Sequence, residues 1–225
     1  MVPSMSGLRH VLRTLTLSTL FGAAAFAASE RTQLVQNEAE PFGFEELTAW
    51  NLDHFNNAYA RQQKFMADPL TTAAFNAWLN TLEPARALPL IDQIQFVTEA
   101  INNRIQYTRD SVNHGAAEYY DAPIETILSR KGDCEDYAIA KYYALRWLGV
   151  PANRLYIAAV TREGAGHCVL LVDTSADFSR TDVIVMDNGP QNSRHILGAT
   201  EYVPKALFNE HGVYNVRRVR AVSPG

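Results

Sequence analysis

The chain has 225 residues with 20 basic and 24 acidic side chains, a formal net charge of −4, and 47% hydrophobic, 10% aromatic and 20% charged residues. That balance supplies enough apolar surface for a packed core, which excludes a disordered tail and a fibrous repeat. An acidic balance with no run of Lys or Arg speaks against a protein held to nucleic acid by phosphate contacts, and two cysteines exclude a disulfide-rich scaffold.

Residues 1–28 read as a secretory signal peptide. Arg9, His10 and Arg13 precede the apolar stretch 15–27, and Ala25-Phe26-Ala27 sets small residues where a signal peptidase cuts. A membrane anchor is the rival reading, but Thr16, Ser18, Thr19 and Gly22 interrupt the stretch, which is shorter than the ~20 apolar residues of a spanning helix. Cleavage would leave residues 29–225 as one domain in an export compartment, with 18 basic against 24 acidic side chains.

Residues 29–41 are polar and unpatterned. Phe44, Leu47, Leu52, Phe55 and Tyr59 then sit close to helical spacing, and Phe75, Trp78, Leu79 and Leu82 repeat it after Pro69. The clearest stripe is Leu90, Ile94, Val97, Ile101 and Ile105, on a helix starting after Pro89. Residues 106–133 read as loop with a short helix at 124–129. A helix over 135–148 is stopped by Gly149, with Pro151 behind it. Apolar β-type runs at 155–160, 168–172 and 183–186 predict an antiparallel sheet, with a last strand at 213–222. Helices first and strands afterwards make an α+β domain.

The chemistry concentrates in the second half. Cys134 opens a helix, where unsatisfied N–H groups and the dipole favour a thiolate. His167 opens one strand and Asp187 ends the next, so a Cys-His-Asp triad would be spaced by 33 and 20 residues. Asp173 and Asp182 compete with Asp187, but both border a turn, where an acid is usually solvated. His54, His114, His195 and His211 read as surface or capping residues, and Tyr119, Tyr120, Tyr137, Tyr142, Tyr143 and Trp147 as packing. Strand alternation points Cys168 away from the face of His167, against a Cys134–Cys168 disulfide.

Gly132-Asp133-Cys134-Glu135-Asp136-Tyr137-Ala138-Ile139-Ala140-Lys141-Tyr142, then Gly166-His167-Cys168-Val169-Leu170 and Met186-Asp187-Asn188, resembles the bacterial transglutaminase-like cysteine proteinases, and within them the LapG-type periplasmic proteases. The resemblance implies a papain/transglutaminase-like fold, with the nucleophile on a helix packed against an antiparallel sheet. It also implies Cys134 as nucleophile, His167 as general base and acid, and Asp187 as the group that orients His167. The family often has Met where this chain has Cys168.

Asp133, Glu135 and Asp136 would raise the thiol pKa by like-charge repulsion, so something must neutralise them. A hard dication does so, and Ca2+ accepts irregular carboxylate clusters. The resemblance implies calcium bound through Asp133 and Glu135, with Asp136 a further candidate; without it, the acids would read as ordinary first-turn residues. It further implies a periplasmic protease that cuts the N-terminal region of a large surface adhesin to promote biofilm dispersal. An inner-membrane cyclic diguanylate receptor of the LapD type would sequester it. Two rivals stand beside this reading: acyl transfer to an amine on cell-wall peptides, as a transglutaminase or amidase, and a calcium-binding module without turnover.

Overall fold

A computed structural model describes residues 44–174, 183–189 and 202–214. The expected signal peptide and domain start lie outside these residues, as do Asp182, His195 and the stretch beyond 214.

The helical half follows the sequence signals. Helix α1 spans Phe44–Met66. Helix α2, Pro69–Asn80, has Pro at its start, where a missing N–H costs nothing, and Asp68 accepts from Thr71 N at 2.8 Å. It buries Phe75, Trp78 and Leu79. Helix α3, Leu90–Asn102, sinks Ile94, Val97 and Ile101 inward.

Within the expected loop the chain forms strand β1, Gln106–Tyr107, helix α4, Asp110–Asn113, helix α5, Pro123–Ser129, and strand β2, Lys131–Gly132. Strands β1 and β2 pair in parallel, with Tyr107 opposite Gly132. Two-residue strands carry no periodicity, which is why the sequence signals pass over them. Helix α6, Cys134–Leu148, is buried along most of its length and ends at Gly149, whose φ of 102° needs glycine's freedom.

Strands β3, Leu155–Arg162, β4, Ala165–Asp173, β5, Val183–Met186, β6, Tyr202–Asn209, and β7, Gly212–Tyr214, form an antiparallel sheet in the order β5-β4-β3-β6-β7. The β3–β4 turn has positive φ at both Glu163 and Gly164, the twist that suits a two-residue hairpin, and it fixes the register that sets His167 opposite Val160. Strand β6 is absent from the sequence reading, because Pro204 and Lys205 interrupt its pattern. The register shifts here: Ala206 faces Ala159 while Pro204 faces Val160. A proline is tolerated at such a bulge because no ladder N–H is required of it. Asp173, expected at a solvated turn, is buried at the end of β4 opposite Val183.

Helix α6 packs on β4 and β3, with α3 and α5 against its other sides. The charges of Asp133, Glu135 and Asp136 at the start of α6 reach Cys168, near the start of β4. Among the described residues no helix is long and apolar enough to cross a membrane.

Candidate active site

The start of α6 is built from its own acids. Asp136 Oδ2 accepts the Asp133 N–H at 3.0 Å, which closes the first turn, and its Oδ1 accepts the Asp121 N–H at 2.7 Å, which ties down the loop before α5. Gly132 is required beside it, since a Cβ there would lie 2.7 Å from Asp136 Cβ. Cys134 follows at the first helical position, and its thiol donates to Glu135 Oε2 at 3.1 Å.

His167 and Asp187 are joined directly, with 2.7 Å between His167 Nε2 and Asp187 Oδ1. Asp187 Oδ1 also accepts the Asn188 N–H, while Oδ2 accepts from Arg162 Nη1 at 2.9 Å and from the Tyr202 hydroxyl at 2.6 Å. Burial alone would raise the Asp187 carboxyl, but these hydrogen bonds and the His167 charge overcome it and bring the group down to about 2. Asp187 is therefore a carboxylate at neutral pH and keeps the imidazole proton on Nε2.

Among the described residues the thiol's hydrogen-bond partner is Glu135, not the His167 ring. Burial pushes the Cys134 thiol well above its ordinary value, with Cys168 and Glu135 adding to the shift. The two sulfurs are unbonded, as expected. Cys168 is buried on β4, where the charges of Glu135, Asp133, Asp136 and Asp187 add to burial in raising its thiol.

The acids gather more densely than the sequence suggested. Oxygens of Asp110, Asp133 and Asp136, and of Asp110, Glu118 and Glu135, converge within 4.8 Å, as do ligand atoms of Asp133, Cys134 and Glu135. Burial, a side-chain hydrogen bond with Asp133 and the charges of Asp133 and Asp136 raise Glu135 to about 10, and burial with the Asp133 charge lifts Asp110 to about 6. Asp110 Oδ1, Asp133 Oδ1 and Glu135 Oε1 are buried without a hydrogen-bond partner. Buried carboxylate oxygens without donors are costly, and an oxygen-only set suits a hard dication. Asp110, which opens α4, and Glu118 escape the sequence reading because they stand 16 or more residues before Cys134. Arg162 and Tyr202 were equally hidden, the latter on the unrecognised β6.

The model of the bacterial transglutaminase-like cysteine proteinase family matches residues 39–203. The chain belongs to that family. Among solved structures this proteinase is similar to calcium-bound LapG of Legionella pneumophila, 25% identical at a TM-score of 0.55, over 74% of this chain and 93% of that one. The EGTA-treated form of the same Legionella protein is 26% identical at a TM-score of 0.56, over 72% and 86% of the two chains. No curated protein matches. The family and these neighbours agree with the α+β fold and with a cysteine peptidase.

Proposed function

We propose that this protein is an exported, calcium-dependent cysteine endopeptidase with Cys134, His167 and Asp187 as its triad. The observation that carries the reading is the 2.7 Å pair of His167, on β4, with Asp187, just past β5, on a sheet packed against the helix whose first residue is the thiol. With Nε2 held by Asp187, His167 Nδ1 is the nitrogen that takes the thiol proton. The thiolate attacks the scissile carbonyl carbon, the tetrahedral oxyanion collapses to a thioester, and Nδ1–H protonates the departing amine. Water, deprotonated by the same nitrogen, then releases the acid and restores the thiol.

Asp133, Glu135 and Asp110 would hold Ca2+, with Glu118 and Asp136 within reach, and their unpartnered oxygens fit it. Bound there, the ion would supply positive charge beside the thiol, offsetting the acids that disfavour its ionisation. The calcium-bound state of the Legionella neighbour supports this reading. The biological substrate in this proposal is a large surface adhesin, cut in its periplasmic N-terminal region and so released during biofilm dispersal. A LapD-type inner-membrane receptor of cyclic diguanylate is the proposed sequestering partner. Its support is the sequence resemblance and family membership.

The deciding experiment incubates the protein with exported adhesin N-termini from its own genome, with calcium, with EGTA and with a primary amine. Cleavage that needs calcium and vanishes in a folded Cys134→Ala variant is expected. Amide crosslinking to the amine in place of hydrolysis would replace the peptidase with an acyl transferase, and full cleavage by Cys134→Ala would end the thiol mechanism.

A further inference from the structure

The main-chain carbonyl of Asp187 takes donors from two helices. Lys141 Nζ donates from α6 at 2.7 Å and Asn102 Nδ2 from α3 at 3.1 Å, and the same Asn102 nitrogen reaches Gly189 O at 3.1 Å. Lys141 is 0% exposed. Burial is costly for an amine: it lowers the Lys141 ammonium to about 7 against the opposing pull of the Asp187 charge, whereas an apolar side chain would pack there without that cost. The amine lies 5.5 Å from the Tyr137 ring, and can donate to the carbonyl whether charged or neutral. Lys141 also follows Cys134 by seven residues, two helical turns, so both stand on one side of α6.

We propose that Lys141, with Asn102, is a positioning residue that clamps the Asp187 main chain to α6 and α3 and thereby sets where His167 stands relative to the Cys134 thiol. The clamp acts on the backbone and is distinct from the four donors on the carboxylate. It rests on the triad proposed above. A displacement of the imidazole by ~1 Å is enough to cost about a hundredfold in rate, so a clamp of this kind bears on chemistry more than on substrate binding.

The test, run with saturating calcium so that the acids beside the thiol are neutralised, is the pH dependence of Cys134 alkylation by iodoacetamide in the full chain, read by mass analysis of the Cys134 peptide, for wild type, Lys141→Met, Asn102→Ala and His167→Ala. Wild type is expected to react at pH 6 through a thiolate–imidazolium pair, and His167→Ala to lack that reaction. Lys141→Met, with an unchanged circular dichroism spectrum, is expected to lose about tenfold of the pH 6 rate, and Asn102→Ala about threefold. A wild-type profile in folded Lys141→Met overturns the clamp. Should Lys141→Met not fold, Asn102→Ala decides: a wild-type profile there overturns it. If wild type and His167→Ala share one profile, the triad fails instead.

Discussion

The Tyr202 hydroxyl and the His167 ring hold opposite oxygens of one carboxylate: Tyr202 donates to Asp187 Oδ2 at 2.6 Å while His167 Nε2 meets Oδ1 at 2.7 Å. The two rings are near-parallel, with centroids 6.4 Å apart. The strand that the sequence conceals therefore carries a residue that steadies the carboxylate on which His167 rests. Tyr202→Phe removes a buried charge-assisted hydrogen bond and keeps the ring. The expected cost is about 2 kcal/mol of stability in denaturant unfolding and about a tenfold fall in kcat with KM little changed. Unaltered stability and turnover would show the hydroxyl to be idle.

Asp187 makes stability depend on acid. Its folded carboxyl titrates at about 2 against an ordinary 3.8, because donors overcome burial. The unfolded chain therefore binds the proton first as pH falls. The contribution is complete above pH ~4, declines as pH drops toward 2, and amounts to about 2 kcal/mol. Urea unfolding between pH 5 and 2 is expected to show this slope in wild type and to lack it in Asp187→Asn. Equal slopes in the two proteins would contradict the assignment.

Gly132 has no room for a methyl group, because its Cβ would lie 2.7 Å from Asp136 Cβ and 2.8 Å from Asp136 Oδ2. Gly132→Ala is expected to displace Asp136 from the Asp121 and Asp133 N–H groups. The expected loss is about 2–3 kcal/mol, with a lower calcium affinity, since both loops meet at the acid cluster. Thermal unfolding with and without calcium measures both.

Calcium should act as a structural ligand even when no substrate is present. Neutralising Asp110, Asp133 and Glu135 together relieves repulsion among buried carboxylates, so added calcium is expected to raise Tm. At a hundredfold excess over Kd the gain is about 2.7 kcal/mol. Asp110→Ala and Asp133→Ala are each expected to reduce calcium affinity at least tenfold by calorimetry. An unchanged affinity in Asp110→Ala would confine the site to the residues flanking Cys134.

How much was legible in the sequence varies from element to element. Helix α3 is plain because Leu90, Ile94, Val97 and Ile101 repeat at the helical period, although the last member of the stripe, Ile105, lies past the helix end at Asn102 and is buried just beyond it. Strand β5 was bounded correctly because Val183–Met186 is an unbroken apolar run. Strand β6 was lost because a bulge at Pro204 breaks the alternation that reveals a strand. Asp173 reads as solvated in the sequence yet is buried, because burial depends on what packs over a strand end.

The sequence by itself determined the local chemistry: a thiol at the first turn of a helix, a histidine near the start of a strand, acids on both sides of the thiol. Those are matters of residue order and short-range periodicity, which the chain states directly. Only the tertiary structure decided which distant groups complete them, namely Tyr202 and Arg162 on the Asp187 carboxylate, Lys141 and Asn102 on its carbonyl, and Asp110 among the acids. These partners come from strand pairing and from helix packing on the sheet. Contacts of that kind are fixed by the burial of whole faces and leave no spacing in the chain.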